Sequence, residues 1–236
     1  MNQLEVVSLV SSGRATWTWT PLVDGIEVMA WPVMLDGIFL SVSARTASAC
    51  AAALNRNGWM VSLTTPKVED LIYEHAAARP EPVVLDPRHT DVASSNAVLA
   101  HSGKLLRRFA GTPHDALVAC GKNWVFCNAM LDHPGYAASY GMFAATAPHR
   151  NANGAYRLWQ PLSLEHDIDY WDYSQLLRLA RRRPGTVLPS YDEPLRVFEL
   201  VRECALPITL TTAPERPEGR GKHERAQNRA TTTSVD

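Results

Sequence analysis

Residues 46–78 read TASACAAALNRNGWMVSLTTPKVEDLIYEHAAA, a stretch that combines two helix patterns with a strand pattern between them. The alanine-rich run 46–54 opens with a hydroxyl residue and is followed by a glycine, which predicts a helix. Residues 59–63 predict a strand. Thr65 as a cap, Pro66 at the first helical position and acidic residues in the next turn predict a second helix, ending near residue 78.

Short strand patterns flank this helical middle on both sides. Upstream, residues 15–20 alternate Trp and Thr, and Asp36-Gly37 between two apolar runs predicts a hairpin. Downstream, a helix is predicted over 92–109, followed by strands at 116–120, 124–127, 140–146 and 156–160. Residues 176–183 fit a helix or a strand, and 194–204 a final helix. This order favours an α+β fold: a mixed, largely antiparallel sheet with helices packed on one face.

The composition predicts one globular domain over residues 1–212, because 46% of the chain is hydrophobic and 20% charged. A domain of this size needs neither a disulfide nor a metal ion to fold. Residues 213–236 are nearly devoid of apolar side chains, so we expect a disordered tail.

Charge and hydropathy exclude several classes of partner. The net charge of −1 argues against nucleic acid and against an anionic membrane surface. The longest apolar stretch, residues 26–42, is interrupted by Glu27, Pro32 and Asp36, so it does not predict a membrane span. The first ten residues lack a signal-peptide pattern and the four cysteines are widely spaced, which together predict a cytoplasmic protein with reduced thiols.

The sequence from His166 to Gln175, HDIDYWDYSQ, concentrates polar groups that could transfer protons. In either an extended or a helical conformation, a carboxylate falls on the same side as the imidazole. The hypothesis is that His166 acts as a general base, Asp172 orients it and Ser174 serves as nucleophile or substrate donor. The alternative is a loop of caps and turns over packed aromatic side chains, because no positional motif frames Ser174.

A second candidate is Lys122, between Gly121 and an Asn-Trp pair, which could stabilise an anion or be a solvated hairpin residue. Further candidate substrate-binding residues are Tyr173, Asp169, Trp124 and Tyr140. No close Cys or His spacing favours a metal, so neither a metal nor another cofactor is predicted. Cys120 or Cys127 as a nucleophile is the weaker alternative, because both lie in apolar runs.

Four segments together resemble an uncharacterised family of bacterial and phage-associated proteins. They are the run 64–73 (TTPKVEDLIY), the segments 121–125 (GKNWV) and 140–143 (YGMF), and a histidine followed by Asp-Tyr-Ser-Gln. The resemblance covers roughly residues 60–180 and implies only that these segments belong together, since the family has no established activity. Phe143 stands where the family pattern has a histidine, so the resemblance also allows a degenerate member.

Two functions follow as hypotheses. One is a hydrolase acting on an amide or cell-wall-type bond of a small-molecule or peptide substrate, through His166 and a carboxylate. The other is a non-enzymatic binding or assembly protein, with an oligomer or a protein partner; its motivation is Phe143, the seven tryptophans and the predicted flexible tail.

Overall fold

The computed structural model describes residues 3–55 and 57–197, and the following statements concern these residues. The chain divides into two units, 1–206 and 207–236, and every described residue belongs to the first. The predicted tail, the predicted domain boundary at residue 212 and most of the predicted helix 194–204 lie outside the described residues. Within the described ranges, no helix is both long enough and apolar enough to cross a membrane.

The described residues form four α-helices and ten strands. The helices are α1 (Gln3–Ser11), α2 (Ala44–Leu54), α3 (Pro66–His75) and α4 (Ser95–Arg108), with a 3-10 helix at Asn128–Asp132. The strands are β1 (Trp19–Val23), β2 (Ile26–Met29), β3 (Met34–Leu35), β4 (Ile38–Phe39), β5 (Met60–Ser62), β6 (Lys122–Val125), β7 (Tyr136–Phe143), β8 (His149–Arg150), β9 (Arg157–Asp167) and β10 (Ala180–Arg182). The predicted α+β fold is confirmed.

The strands form two four-stranded sheets, ordered β1-β2-β10-β5 and β6-β7-β9-β8, and the separate hairpin β3-β4. The pairs within them are antiparallel. The predicted Asp36-Gly37 turn is present, but it joins β3 to β4, because the run 26–31 pairs instead with β1. Both turn residues have positive φ, 50° and 77°, as a two-residue hairpin turn requires.

Local sequence signals place α2, α3 and α4 closely, but α1 has no counterpart among the predicted helices. Thr65 caps α3 by accepting a hydrogen bond from the Val68 N–H at 3.1 Å, as predicted. The cap of α2 is Ser43 rather than Thr46; the Ser43 hydroxyl accepts from the Thr46 N–H at 3.2 Å, so the helix begins earlier. Residues 116–120 form no named strand, although Val118 makes an isolated bridge with Ala78.

Residues 172–182 connect the two sheets, and this connecting segment positions the candidate site. After a turn at residues 173–174 it is extended, which resolves the helix-or-strand alternative over 176–183, and its last part is β10. At its start, the Lys122 N–H donates to the Ser174 carbonyl at 3.0 Å, and further along the Met29 N–H donates to the Leu179 carbonyl at 3.1 Å. Its side chains therefore alternate between the cores on its two sides.

Candidate functional site

The carboxylate of Asp172 is the centre of a buried polar cluster that contains three of the four predicted catalytic residues. Lys122 Nζ donates to Asp172 Oδ2 at 2.9 Å, and the Ser174 hydroxyl donates to Oδ1 at 2.7 Å. The Ser174 N–H and the Tyr170 hydroxyl donate to the same carboxylate, at 2.8 and 3.2 Å. Four donors converge on one buried carboxylate, so its hydrogen-bonding capacity is satisfied.

Gly121 makes this close approach sterically allowed. Its φ of 71° lies in the left-handed region, and a Cβ added there would sit 2.7 Å from Leu176 Cδ1. A glycine is therefore needed where the β6 strand meets the connecting segment. This positions Lys122 to reach across to Asp172.

Asp172 remains a carboxylate despite its burial. Burial acts to raise its pKa, but the charge of Lys122 and the hydrogen bonds from Lys122 and Ser174 outweigh it, so the pKa is lowered from its ordinary value. The same carboxylate contributes to raising the pKa of the Tyr170 hydroxyl, although burial is the larger cause. A carboxylate with a lowered pKa is a weak base, which limits its use in proton abstraction.

His166, the predicted base, lies at the edge of this cluster on β9. Its ring stacks on the Tyr170 ring with a centroid distance of 3.8 Å and an interplanar angle of 2°, and it lies edge-on to Trp124 at 6.4 Å. Tyr170 in turn donates to Asp172. The structure thus places a phenol against the imidazole face and connects that phenol to the carboxylate.

The predicted substrate-binding residues occupy four different environments. Tyr173 is buried and its hydroxyl accepts from the Leu85 N–H at 2.8 Å, whereas Asp169 is exposed and pairs with Arg45 at 2.7 Å. Trp124 is buried and donates to the Val42 carbonyl at 2.7 Å; Tyr140 is buried and donates to Asp70 at 2.8 Å. The structure does not bring these four side chains together around one cavity.

A second buried polar region lies under α3, where Glu69 and Asp70 face the β6-β7 strands. Glu69 accepts from the Thr64 hydroxyl at 2.5 Å and from Asn123 Nδ2 at 2.8 Å. Asp70 accepts from Tyr140, Asn151 and Tyr191, at 2.8, 2.9 and 2.6 Å. Burial is the main cause that raises the pKa of both carboxyl groups, and these hydrogen bonds only partly oppose it.

Arg178, on the connecting segment, belongs to this second region. It is 2% exposed, and its charge lowers the pKa of Glu69 against the larger effect of burial. Among residues 3–55 and 57–197, none of its three side-chain nitrogens has a hydrogen-bond partner, and no carboxylate lies within 4.0 Å of them. A buried guanidinium in this state is rare, because arginine keeps its charge inside proteins.

Cys120 adjoins Arg178 and Glu69. Burial raises the pKa of its thiol to about 11, with Arg178 lowering and Glu69 raising that pKa to a smaller extent. Such a thiol stays protonated near neutral pH, so it is a poor nucleophile. Cys120 nevertheless keeps partial solvent exposure, unlike Arg178.

The sequence-based predictions missed Glu69, Asp70 and Arg178. In the sequence the two acids fit the first turn of a helix, a role that does not require burial. For Arg178 a signal existed: it is the one charged residue within Leu-Leu-Arg-Leu-Ala, residues 176–180. A lone charge inside an apolar run that becomes a buried extended segment needs a partner, so such a position is a candidate for a binding or structural role.

Comparisons with known proteins add no functional information. No protein-family model, no curated protein and no solved structure matches the chain. The resemblance to phage-associated proteins therefore stays a prediction. Its point of departure, Phe143, stacks on Tyr73 at 4.6 Å and lies edge-on to Tyr140 at 5.8 Å.

The donor chemistry of the described part of the chain does not assemble a metal site. No group of three or more His, Cys, Asp or Glu side chains there could hold a metal ion.

Proposed function

We propose that this domain binds a small organic ligand through a carboxylate group, and that Arg178 is the residue that receives it. The observation that carries the proposal is the buried guanidinium whose three nitrogens lack a hydrogen-bond partner within the described ranges. Leaving a buried charge unpaired costs several kcal/mol. A ligand carboxylate would offset this cost with two parallel hydrogen bonds to the planar guanidinium.

Glu69 does not take that role itself. Its two oxygens are used by Thr64 and Asn123, and its charge interacts with Arg178 from beyond ion-pair distance. Because burial raises the pKa of Glu69, this side chain accepts a proton more readily than an ordinary glutamate. With Glu69 protonated, one positive charge is left to balance, which favours a singly charged carboxylate over a doubly charged phosphate.

The alternative hydrolase function receives less support from the geometry. In the Asp172 cluster, ammonium, hydroxyl and phenol all donate to one carboxylate whose pKa is lowered. These groups are occupied with one another, whereas a nucleophile needs a base that can accept its proton. Hydrolysis through His166 stays a prediction, and binding at Arg178 is the function we favour.

Calorimetric titration with acetate, propionate and benzoate tests the proposal, with the matching neutral amides as controls. We expect the carboxylates to bind and the amides to fail. A carboxylate at about 100 times its Kd should raise the free energy of unfolding by about 2.7 kcal/mol. Tighter binding of inorganic phosphate than of every carboxylate would contradict the charge argument.

Variants separate the site from general electrostatics. Arg178→Met and Arg178→Lys should both lose carboxylate binding, since neither presents a planar fork. Arg181→Gln is the matched control; it removes a neighbouring guanidinium that is paired with Glu27, and binding should persist. Equal loss of binding in the Arg181 variant would point to a nonspecific effect of charge.

The pH dependence supplies a further check. Binding should weaken as the pH rises through the raised pKa of Glu69, because the deprotonated side chain repels the ligand. Glu69→Gln, which mimics the protonated side chain, should make binding independent of pH in this range. Persistence of the wild-type pH dependence in that variant would remove Glu69 from the site.

A further inference from the structure

The polar region around Arg178 contains a second buried group without a partner, the side-chain oxygen of Asn123. Asn123 lies on β6 and is 1% exposed, and its Nδ2 donates to Glu69 Oε2 at 2.8 Å. Its Oδ1 receives no hydrogen bond from the described part of the chain. A side-chain amide oxygen is a strong acceptor, and burying it without a donor is unfavourable. Asn123 Oδ1 is therefore a candidate acceptor for a donor group on a bound molecule.

Glu69 connects this oxygen with the guanidinium. It bonds Asn123 directly, and it lies near enough to Arg178 for the arginine charge to lower its pKa against the larger effect of burial. The backbone brings the same two side chains into one region, because the Leu176 N–H donates to the Lys122 carbonyl at 3.1 Å. These two residues are close neighbours in sequence of Arg178 and Asn123. The region under α3 thus contains a cation and an acceptor that residues 3–55 and 57–197 leave without hydrogen bonds.

Charge decides which kind of donor suits this oxygen. An alcohol O–H and an ammonium N–H can both donate to an amide oxygen. An ammonium would add a positive charge close to the Arg178 guanidinium, and a Glu69 that holds a proton would not balance it. Burial raises the pKa of Glu69 and so favours that proton. A neutral hydroxyl is therefore the donor that fits Asn123 Oδ1.

We propose that the carboxylate ligand of Arg178 is a hydroxy acid, whose carboxylate binds the guanidinium and whose hydroxyl donates to Asn123 Oδ1. Such binding rests on the proposed function at Arg178 and adds the contact that distinguishes one carboxylate from another. A site with a buried acceptor discriminates against ligands that leave this acceptor unpaired. Plain carboxylates such as propionate satisfy Arg178 but leave Asn123 Oδ1 without a donor, so they should bind more weakly than a hydroxy acid.

Calorimetric titration of the full-length chain compares acids of nearly equal size. Propionate is the reference, both enantiomers of lactate and 3-hydroxypropionate carry the hydroxyl, and 2-fluoropropionate replaces the lactate hydroxyl with a group that cannot donate. At least one hydroxy acid should bind about 3- to 10-fold more tightly than propionate, and 2-fluoropropionate should not. Hydroxy acids that bind no more tightly than propionate, or more weakly than alanine with its ammonium, would overturn the hydroxyl assignment and leave the proposed function standing. Failure of every acid to bind, propionate included, would overturn both.

Variants assign the preference to one oxygen atom. Asn123→Ala should bring the ratio of hydroxy-acid to propionate affinity close to one; a changed protonation of Glu69 acts equally on both acids, because their charge is the same. Ser139→Ala is the matched control: it removes another buried side-chain oxygen without a partner in the described ranges, but beside Trp124, on the opposite face of the β6-β7 pair. The preference should persist there. A preference that survives in Asn123→Ala, or that is lost equally in both variants, would overturn the proposal.

Discussion

The two buried polar regions on the connecting segment differ in how completely their charges are matched. Around Asp172, a buried lysine and a buried carboxylate lie 2.9 Å apart, and further donors complete the carboxylate. Around Arg178, six residues further along, the guanidinium has no hydrogen-bond partner in the described part of the chain. Lys122, Asp172 and Arg178 are all buried, so burial alone does not distinguish a structural ion pair from a candidate binding residue.

This difference indicates which buried charges stabilise the fold and which ones point to ligand binding. A charge whose partners all come from the protein stabilises a particular arrangement of strands, here the contact between β6 and the connecting segment. A charge that lacks such partners leaves a free energy cost that a ligand can remove. Three predicted catalytic residues, Lys122, Asp172 and Ser174, lie in the region around Asp172, whereas Arg178, the proposed binding residue, lies in the other.

The largest expected effect on stability comes from breaking the ion pair between Lys122 and Asp172. Lys122→Met leaves the Asp172 carboxylate buried without its cation, so we expect the free energy of unfolding to fall by about 3–5 kcal/mol. Urea denaturation at pH 7 measures it, and the exposed Lys104→Met is the matched control. A loss below about 1 kcal/mol would mean that the ion pair does not stabilise the fold.

An intermediate effect on stability is expected at His101. Its ring lies against the Tyr173 ring, with a centroid distance of 4.9 Å. Burial lowers the pKa of His101 to about 4, although the Asp172 charge acts to raise it. Between pH 6.5 and 4 the unfolded chain therefore binds more protons than the folded one, and acidification destabilises the fold by on the order of 3 kcal/mol. His101→Phe should remove this contribution in denaturation measured across that range.

The His101 experiment needs a control because Glu69 and Asp70 change the stability of the fold with pH in the opposite direction. Their raised pKa values stabilise the folded state at low pH, and this stabilisation is lost as the pH rises through the folded pKa. At each pH, the free energy of unfolding of His101→Phe is therefore compared with that of the wild type. The exposed His75→Phe is the matched control. An unchanged acid sensitivity in His101→Phe would assign it to other groups.

The smallest expected effect is a change in the free energy of unfolding at Arg178, and its sign distinguishes the two regions. Because the Arg178 guanidinium has no hydrogen-bond partner among residues 3–55 and 57–197, Arg178→Met should stabilise the domain by about 1–3 kcal/mol, in contrast to Lys122→Met. Urea denaturation near pH 5, where Glu69 more readily holds a proton, measures the change. Destabilisation instead would show that Arg178 has a partner within the protein and that the two regions are alike.

Much of the local structure could be predicted because the signals are local. The Thr65 cap, the Asp36-Gly37 turn and the strand at 59–63 each depend on a few adjacent residues, and each appears where the sequence predicts it. The predicted start of α2 was wrong by three residues, because Ser43 and Thr46 are both acceptable caps and the helix is capped by Ser43.

The sequence by itself determined the α+β class and the concentration of polar groups between His166 and Gln175. Only the tertiary structure decided that Lys122 meets Asp172 across 50 positions of chain, and that Glu69 meets Asn123 across 54. The physical reason is that helix caps and turns are fixed by neighbours in sequence, whereas the pairing of a buried charge depends on which strands lie side by side. Arg178 looks the same in sequence whether or not such a partner exists.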